Sequence, residues 1–174
     1  MNTHGLHILR RRPLDVSMAW DAPDAAIANE IDLRACSDVY FSSEHPDHPV
    51  ARLFDGETGE GASKWIAGRR NRSETLLFMF DEAVNIAHCA FEAEEREISR
   101  TQQVTAEYLV ANGDTYRQCF IQEFDFSPGG AVYQRELIEL DLRKVRRIRF
   151  TILADKGGQG IPSLTALRLF SFQW

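Results

Sequence analysis

The stretch "VTAEYLVANGDTYRQCFIQEFDF", residues 104–126, decides the fold. Two runs suited to strands flank Asn112-Gly113-Asp114, and Asn-Gly accepts positive φ at low cost, so the segment reads as a β-hairpin. The same texture continues on both sides. "SDVYFSS" (37–43) alternates, with Val39 and Phe41 on one face and Asp38, Tyr40 and Ser42 on the other. "ETLLFMFDE" (74–82) is a continuous apolar run, as expected of a strand covered on both sides. "NIAHCAFEAEE" (85–95) sets Ile86, His88 and Ala90 against Ala87, Cys89 and Phe91. "ELIELDL" (136–142) alternates again. "RRIRFTIL" (146–153) points Ile148, Phe150 and Ile152 inward and Arg147, Arg149 and Thr151 outward. In "LTALRLFSFQW" (164–174), Leu167 and Leu169 oppose Arg168, Phe170 and Phe172. About eight or nine short strands, separated by Gly-, Pro- and Asp-rich turns with little helix, read as an all-β sandwich or barrel. No strand–helix alternation points to a parallel α/β sheet.

The chain of 174 residues suits one domain with a substantial core. Hydrophobic residues at 44% and charged residues at 26% are ordinary for a globular protein. A net charge of −6 disfavours nucleic-acid binding through a generally basic surface. Cys36, Cys89 and Cys119 lack metal-ligand spacing, and an odd number argues against a complete disulfide framework. The start, "MNTHGLHILRRRPLDV", has no signal-like apolar run, and no stretch approaches a membrane span. A cytoplasmic setting is the expectation. Residues 1–34 read as a lead-in packed on the domain: "LHILRRRP" as a short strand, and the Asp-capped "DAPDAAIANEIDL" (21–33) as a short helix or extended segment. No repeat or linker splits off a second domain.

The order of these pieces carries a resemblance. "FSSEHPDHPVARLFDG" (41–56) resembles the opening of a discoidin domain, the family that includes the C domains of coagulation factors and many carbohydrate-binding modules. A strand ends in a Ser-Ser pair, a loop follows, and Asp55-Gly56 precedes Trp65 in "DGETGEGASKWIAG". "ETLLFMFDEAVNIAHCAFE" is similar to the family's strand–turn–strand, and "AEYLVANGDTYRQC" to its next strand and turn, with Tyr116 where tryptophan is commoner. "VRRIRFTILADKGGQGIPSLTALRLF" looks like its last two strands. The resemblance spans about residues 35–172. It implies a galactose-binding-domain-like jelly roll at 35–174: two antiparallel sheets whose loops at one end hold the ligand. The same fold serves protein scaffolds of DNA strand-break repair and ciliary transport, and also the enzyme allantoicase, so it limits function only loosely.

The resemblance further implies a structural calcium ion at the Asp-Gly loop, with Asp55, Thr58 and Ser63 as candidate ligands. Two departures count against it. The loop to Trp65 is longer than usual, and Ala166 stands where an acidic ligand is common. His45 and His48 form a His-x-x-His pair beside Glu44 and Asp47, but zinc wants three or four protein ligands, and the prolines indicate a stiff, exposed loop.

"KWIAGRRNRSE" (64–74) places an aromatic ring and three arginines at a rim loop. In sugar-binding relatives an aromatic ring covers a sugar's apolar face while Arg, His or Asn bond its hydroxyls. The ligand-binding candidates are therefore His45, Trp65, Arg69, Arg70, Arg72 and, from the Gly-rich loop "DKGGQGIPS" (155–163), Lys156. That loop lacks the context of a phosphate-binding motif. "RKVRRIR" (143–149) is a basic stripe whose acidic neighbours can pair with it across strands. Acid pairs such as Glu94-Glu95 and Glu136/Glu139 read as solubilising. No nucleophile elbow, zinc-hydrolase helix or redox cysteine pair is visible. The sequence thus points to a non-catalytic binding module, foremost for carbohydrate. The alternatives are a protein-interaction module, using aromatics such as Phe172 or Trp174 and capable of homo-oligomerising, and, more distantly, an allantoicase-like enzyme.

Overall fold

A computed structural model describes residues 5–9, 29–155 and 160–172. In chain order the elements are β1 (His7–Leu9), one helical turn α1 (Leu33–Cys36), β2 (Ser37–Phe41), a 3-10 turn (Val50–Phe54), β3 (Trp65–Ile66), β4 (Ser73–Glu94), β5 (Arg100–Val110), β6 (Arg117–Phe126), β7 (Tyr133–Leu153), β8 (Ser163–Leu164) and β9 (Ala166–Phe170). All strand pairs are antiparallel.

β4 and β7 run for 22 and 21 residues, several times an ordinary strand, because each serves both layers of the sandwich. The first part of β4, Ser73–Met79, pairs with β2 and with the last part of β7. Register shifts between Met79 and His88 bend the strand. Its second part then pairs with the start of β7 and with β9. One layer is therefore β1-β2-β4-β7-β5-β6, and the other is β9 beside the distal halves of β4 and β7. Phe91 of the second layer meets Phe120 and Phe124 of the first, at 5.8 and 5.1 Å between ring centroids. The core lies between the layers and includes Phe78, Phe150, Ile148, Ile152 and Leu169, all buried. The result is a two-layer antiparallel β-sandwich, the fold class expected from the strand pattern.

The segment read as strand–turn–strand is thus a single bent strand. The bend resets the alternation: Leu76 and Phe78 are buried before it, and Cys89 and Phe91 after it. The hairpin at Asn112-Gly113 forms as expected, but neither residue takes positive φ. Glycine suits the space there, since a Cβ on Gly113 would press on Val110 Cγ2 at 2.9 Å and force that side chain to shift. "LHILRRRP" does supply a strand, β1, paired with β2. Of the 21–33 segment, residues 21–28 lie outside the described residues; Asp32 caps α1 by accepting the Arg34 and Ala35 amides at 3.1 and 3.0 Å. Glu30 bridges to Phe170 and forks onto Arg168 at 3.0 and 2.7 Å.

Candidate functional site

Three loops meet at one end of the sandwich and are tied by backbone hydrogen bonds. The His45 amide donates to Ile66 O at 2.8 Å, and the Ile66 amide to His48 O at 3.2 Å. Ala67 donates to Pro162 O and Asn71 to Gly160 O, at 2.8 and 3.2 Å. Beside the first two of these loops, against β1 and the end of β2, opens a hollow of about 310 Å³ lined by His7, Phe41, Ser43, Glu44, Gly68 and Arg69. Its apolar part is the His7 ring against Phe41, 5.4 Å between centroids and tilted by 31°. Gly68 permits the closure. A Cβ there would lie 2.7 Å from the Glu44 carbonyl oxygen, and its amide donates to Ser43 Oγ at 3.0 Å.

Arg69 is fixed by Glu74, the second residue of β4. Nε and Nη2 donate to the two carboxylate oxygens, both at 3.0 Å. The Glu74 side chain is 0% exposed and Arg69 43%. The Ser42 hydroxyl also donates to Glu74, while its oxygen accepts the Thr75 amide at 2.8 Å. The hydrogen bonds it donates to Glu74 hold the Arg69 guanidinium pKa above its ordinary value, so it stays a cation. A forked guanidinium beside an aromatic floor can bond hydroxyls while the floor covers C–H surface. Glu44 is also engaged, accepting the Val50 amide at 2.8 Å.

Of the sequence candidates, Arg69 alone lines the hollow. Trp65 is corrected: it is 0% exposed, with its indole N–H on the Ser43 carbonyl at 3.1 Å, so no ligand reaches its face. Its burial sets the loop spacing from within. Arg70 and Arg72 are exposed on either side of Asn71, whose φ of 57° makes the loop tip, and they stand outside the hollow. His45 is exposed beside the hollow, its Nδ1 accepting the Asp47 amide at 3.2 Å. Its ring lies 5.6 Å from that of His48, whose Nδ1 is buried without a hydrogen-bond partner. Lys156 and Trp174 lie outside the described residues. Phe172 sits beneath Arg143, whose guanidinium carbon Cζ lies 3.5 Å from the ring centroid. His7, Ser43, Glu44 and Glu74 were not singled out for this site by sequence. The clue to Glu74 is a carboxylate opening an apolar strand five residues after an arginine.

The Asp-Gly loop does not fit calcium. Asp55 accepts the Glu57 amide at 3.0 Å and the Ser63 hydroxyl at 2.5 Å, and Glu57 accepts the Ser63 amide at 2.9 Å. Calcium wants six to eight converging oxygens. Here donors converge on the carboxylates instead. Among the described residues no group of three or more His, Cys, Asp or Glu could hold a metal ion. Glu94 is also corrected: it is buried rather than solubilising. The basic stripe does pair across strands, with Arg149 forked onto Glu107 at 3.0 and 2.6 Å and lying over Tyr116. Among the described residues no helix is long and apolar enough to cross a membrane.

No protein-family model matches the chain, and no curated protein matches it. Solved structures do. CBM32-3 from a family 31 glycoside hydrolase of Clostridium perfringens aligns over 82% of this chain and 95% of its own, at 12% identity and TM-score 0.60. The fold is galactose-binding-domain-like. A second C. perfringens CBM32 module, in complex with GalNAc-β-1,3-galactose, covers 82% of this chain and 99% of its own at 14% identity and TM-score 0.55. A third, the family 32 module of C. perfringens NanJ in complex with galactose, covers 82% and 98% at 14% identity and TM-score 0.55. At these identities the likeness establishes the galactose-binding-domain-like architecture.

Proposed function

We propose that this chain is a non-catalytic carbohydrate-binding module and that a neutral sugar ring seats in the hollow between His7 and Arg69. The observation that carries the reading is an immobilised, half-exposed guanidinium beside an aromatic floor, at the loop end of a fold whose solved relatives include sugar complexes. The Arg69 charge is answered by buried Glu74, and Glu44 adds a negative one, so the hollow offers no net attraction to a uronate or sulfate. Hydrolysis of a glycosidic bond uses two carboxyl groups astride the bond. Of the lining residues only Glu44 bears one.

An NMR titration of labelled protein with galactose, N-acetylgalactosamine, glucose and galacturonate tests the reading. Saturable shifts should cluster on residues 7, 41–44 and 68–69 for a neutral sugar. His7→Ala should weaken that binding about tenfold, ~1.4 kcal/mol, with the melting temperature unchanged. No shift from any of the four sugars at tens of millimolar, or shifts confined to another face, would overturn the proposal.

A further inference from the structure

The loop of residues 55–64 is fastened by two side chains of β4. Glu92 and Glu94 are two apart on one strand and so share a face. Their side chains are 5% and 7% exposed. Gly59 donates its amide to Glu92 Oε2 at 2.8 Å, and Gly61 donates to Glu94 Oε2 at 2.6 Å. Both glycines have positive φ, 91° and 82°, a backbone state that costs other residues dearly and that turns these two amides toward the strand. Arg135 lies 3.7 Å from Glu92, and the Tyr133 hydroxyl bonds it. Lys64 and Arg96 lie 3.9 and 3.1 Å from Glu94, and Arg96 also reaches Glu60 at 2.6 Å.

We infer that Glu92 and Glu94 close this loop in place of an ion, and that the protein is calcium-independent. The polarity of the loop is the reason. A calcium site turns carbonyl and carboxylate oxygens inward around a cation. Here the peptide N–H groups face inward, the strand supplies the anions, and Arg135, Lys64 and Arg96 already supply positive charge. Seating a divalent cation would require the Gly59 and Gly61 peptides to turn over and the cations to leave. The closed loop leads directly into Trp65 and the Gly68–Arg69 wall, so the fastening also sets one side of the hollow. The inference stands whether or not a sugar binds there.

The test uses full-length ¹⁵N-labelled protein, first with excess EDTA and then with 10 mM CaCl₂, with Glu92→Gln and Glu94→Gln variants alongside. The melting temperature should move by less than about 1 °C between EDTA and calcium. The Gly59 amide resonance should move in Glu92→Gln and that of Gly61 in Glu94→Gln, each variant leaving the other glycine in place. Chelation that lowers the melting temperature by about 4 °C or more, or saturable calcium shifts at Asp55, Glu57, Gly59 and Gly61, would overturn the inference. So would a Gly61 amide indifferent to Glu94→Gln. If a variant fails to fold, the wild-type calcium comparison decides the matter.

Discussion

Replacing Arg69 by alanine removes the partner of a carboxylate that has no access to water. The two Arg69 hydrogen bonds are both 3.0 Å, and Glu74 is 0% exposed. Breaking a fully buried ion pair costs about 3–5 kcal/mol, because a charge is left uncompensated, whereas an exposed pair is worth about 0–1 kcal/mol. Arg69 is 43% exposed, so water enters part of the space it leaves, and Ser42 stays bonded to Glu74. The loss should be about 2 kcal/mol. For a domain of this size each kcal/mol lowers the melting temperature by about 2–4 °C, giving a fall of about 4–8 °C at pH 7. The double variant Arg69→Ala/Glu74→Gln removes the stranded charge and should recover about half of that fall, so the double-mutant cycle should show coupling of at least about 1 kcal/mol, larger by whatever Glu74→Gln costs alone. Circular-dichroism melts and urea titrations of the four proteins measure it. An Arg69→Ala protein melting within about 1 °C of wild type, or a cycle with no coupling, would refute the account of Arg69 as held by a buried carboxylate.

Trp65→Ala should cost about 4 kcal/mol through the cavity it opens, and Trp65→Phe about 1–2 kcal/mol, both read from urea midpoints; a near-neutral Trp65→Ala would contradict its burial. Acid should destabilise the fold through Glu94 and Glu95. Burial pushes the Glu94 carboxyl up, but Arg96, the Gly61 amide and Lys64 together pull it below the usual 4.5. Burial likewise raises Glu95, and the Glu97 amide and Arg100 outweigh it. Carboxyls with depressed folded values contribute stability that is present above 4.5 and lost as pH falls through the folded values. Stability measured by urea should therefore fall as pH drops below 4.5, and Glu94→Gln should flatten that fall.

Where burial follows a regular period, the sequence is legible. Ile148, Phe150 and Ile152 announce one face of β7, and all three are buried. The same rule misleads across the bend of β4, because the bulges between Met79 and His88 reset which side faces the core, and nothing in the residues marks a bulge as distinct from a turn. Trp65 sits in a strand of two residues, too short for any period to separate rim from core. Glu94 reads as solvent-facing because a carboxylate ordinarily is; Arg96 stands next to it in sequence, but the Gly61 amide that helps justify its burial comes from a loop 33 residues away. The hollow is least legible of all. It joins His7 of the lead-in to residues 41–44 and 68–69, so only the register of β1 on β2, with His7 opposite Phe41, puts an aromatic floor beneath Arg69.

That assembly also determines what kind of binding the site can give. His45, Ile66 and His48 zip two loops together, Ala67–Pro162 and Asn71–Gly160 tie in a third, and Glu74 fixes the arginine. The ordering cost of these groups falls on folding rather than on binding, which favours selectivity by geometry. The hollow is nonetheless open to solvent, so a sugar ring seated there as proposed would leave much of its surface in water. Affinity at a single site of this kind is weak, in the range of about 0.1–10 mM, ~3–5 kcal/mol. Tight attachment to a glycan surface then requires several sites engaged at once, and effective concentration, rather than any further contact in the hollow, would supply the gain.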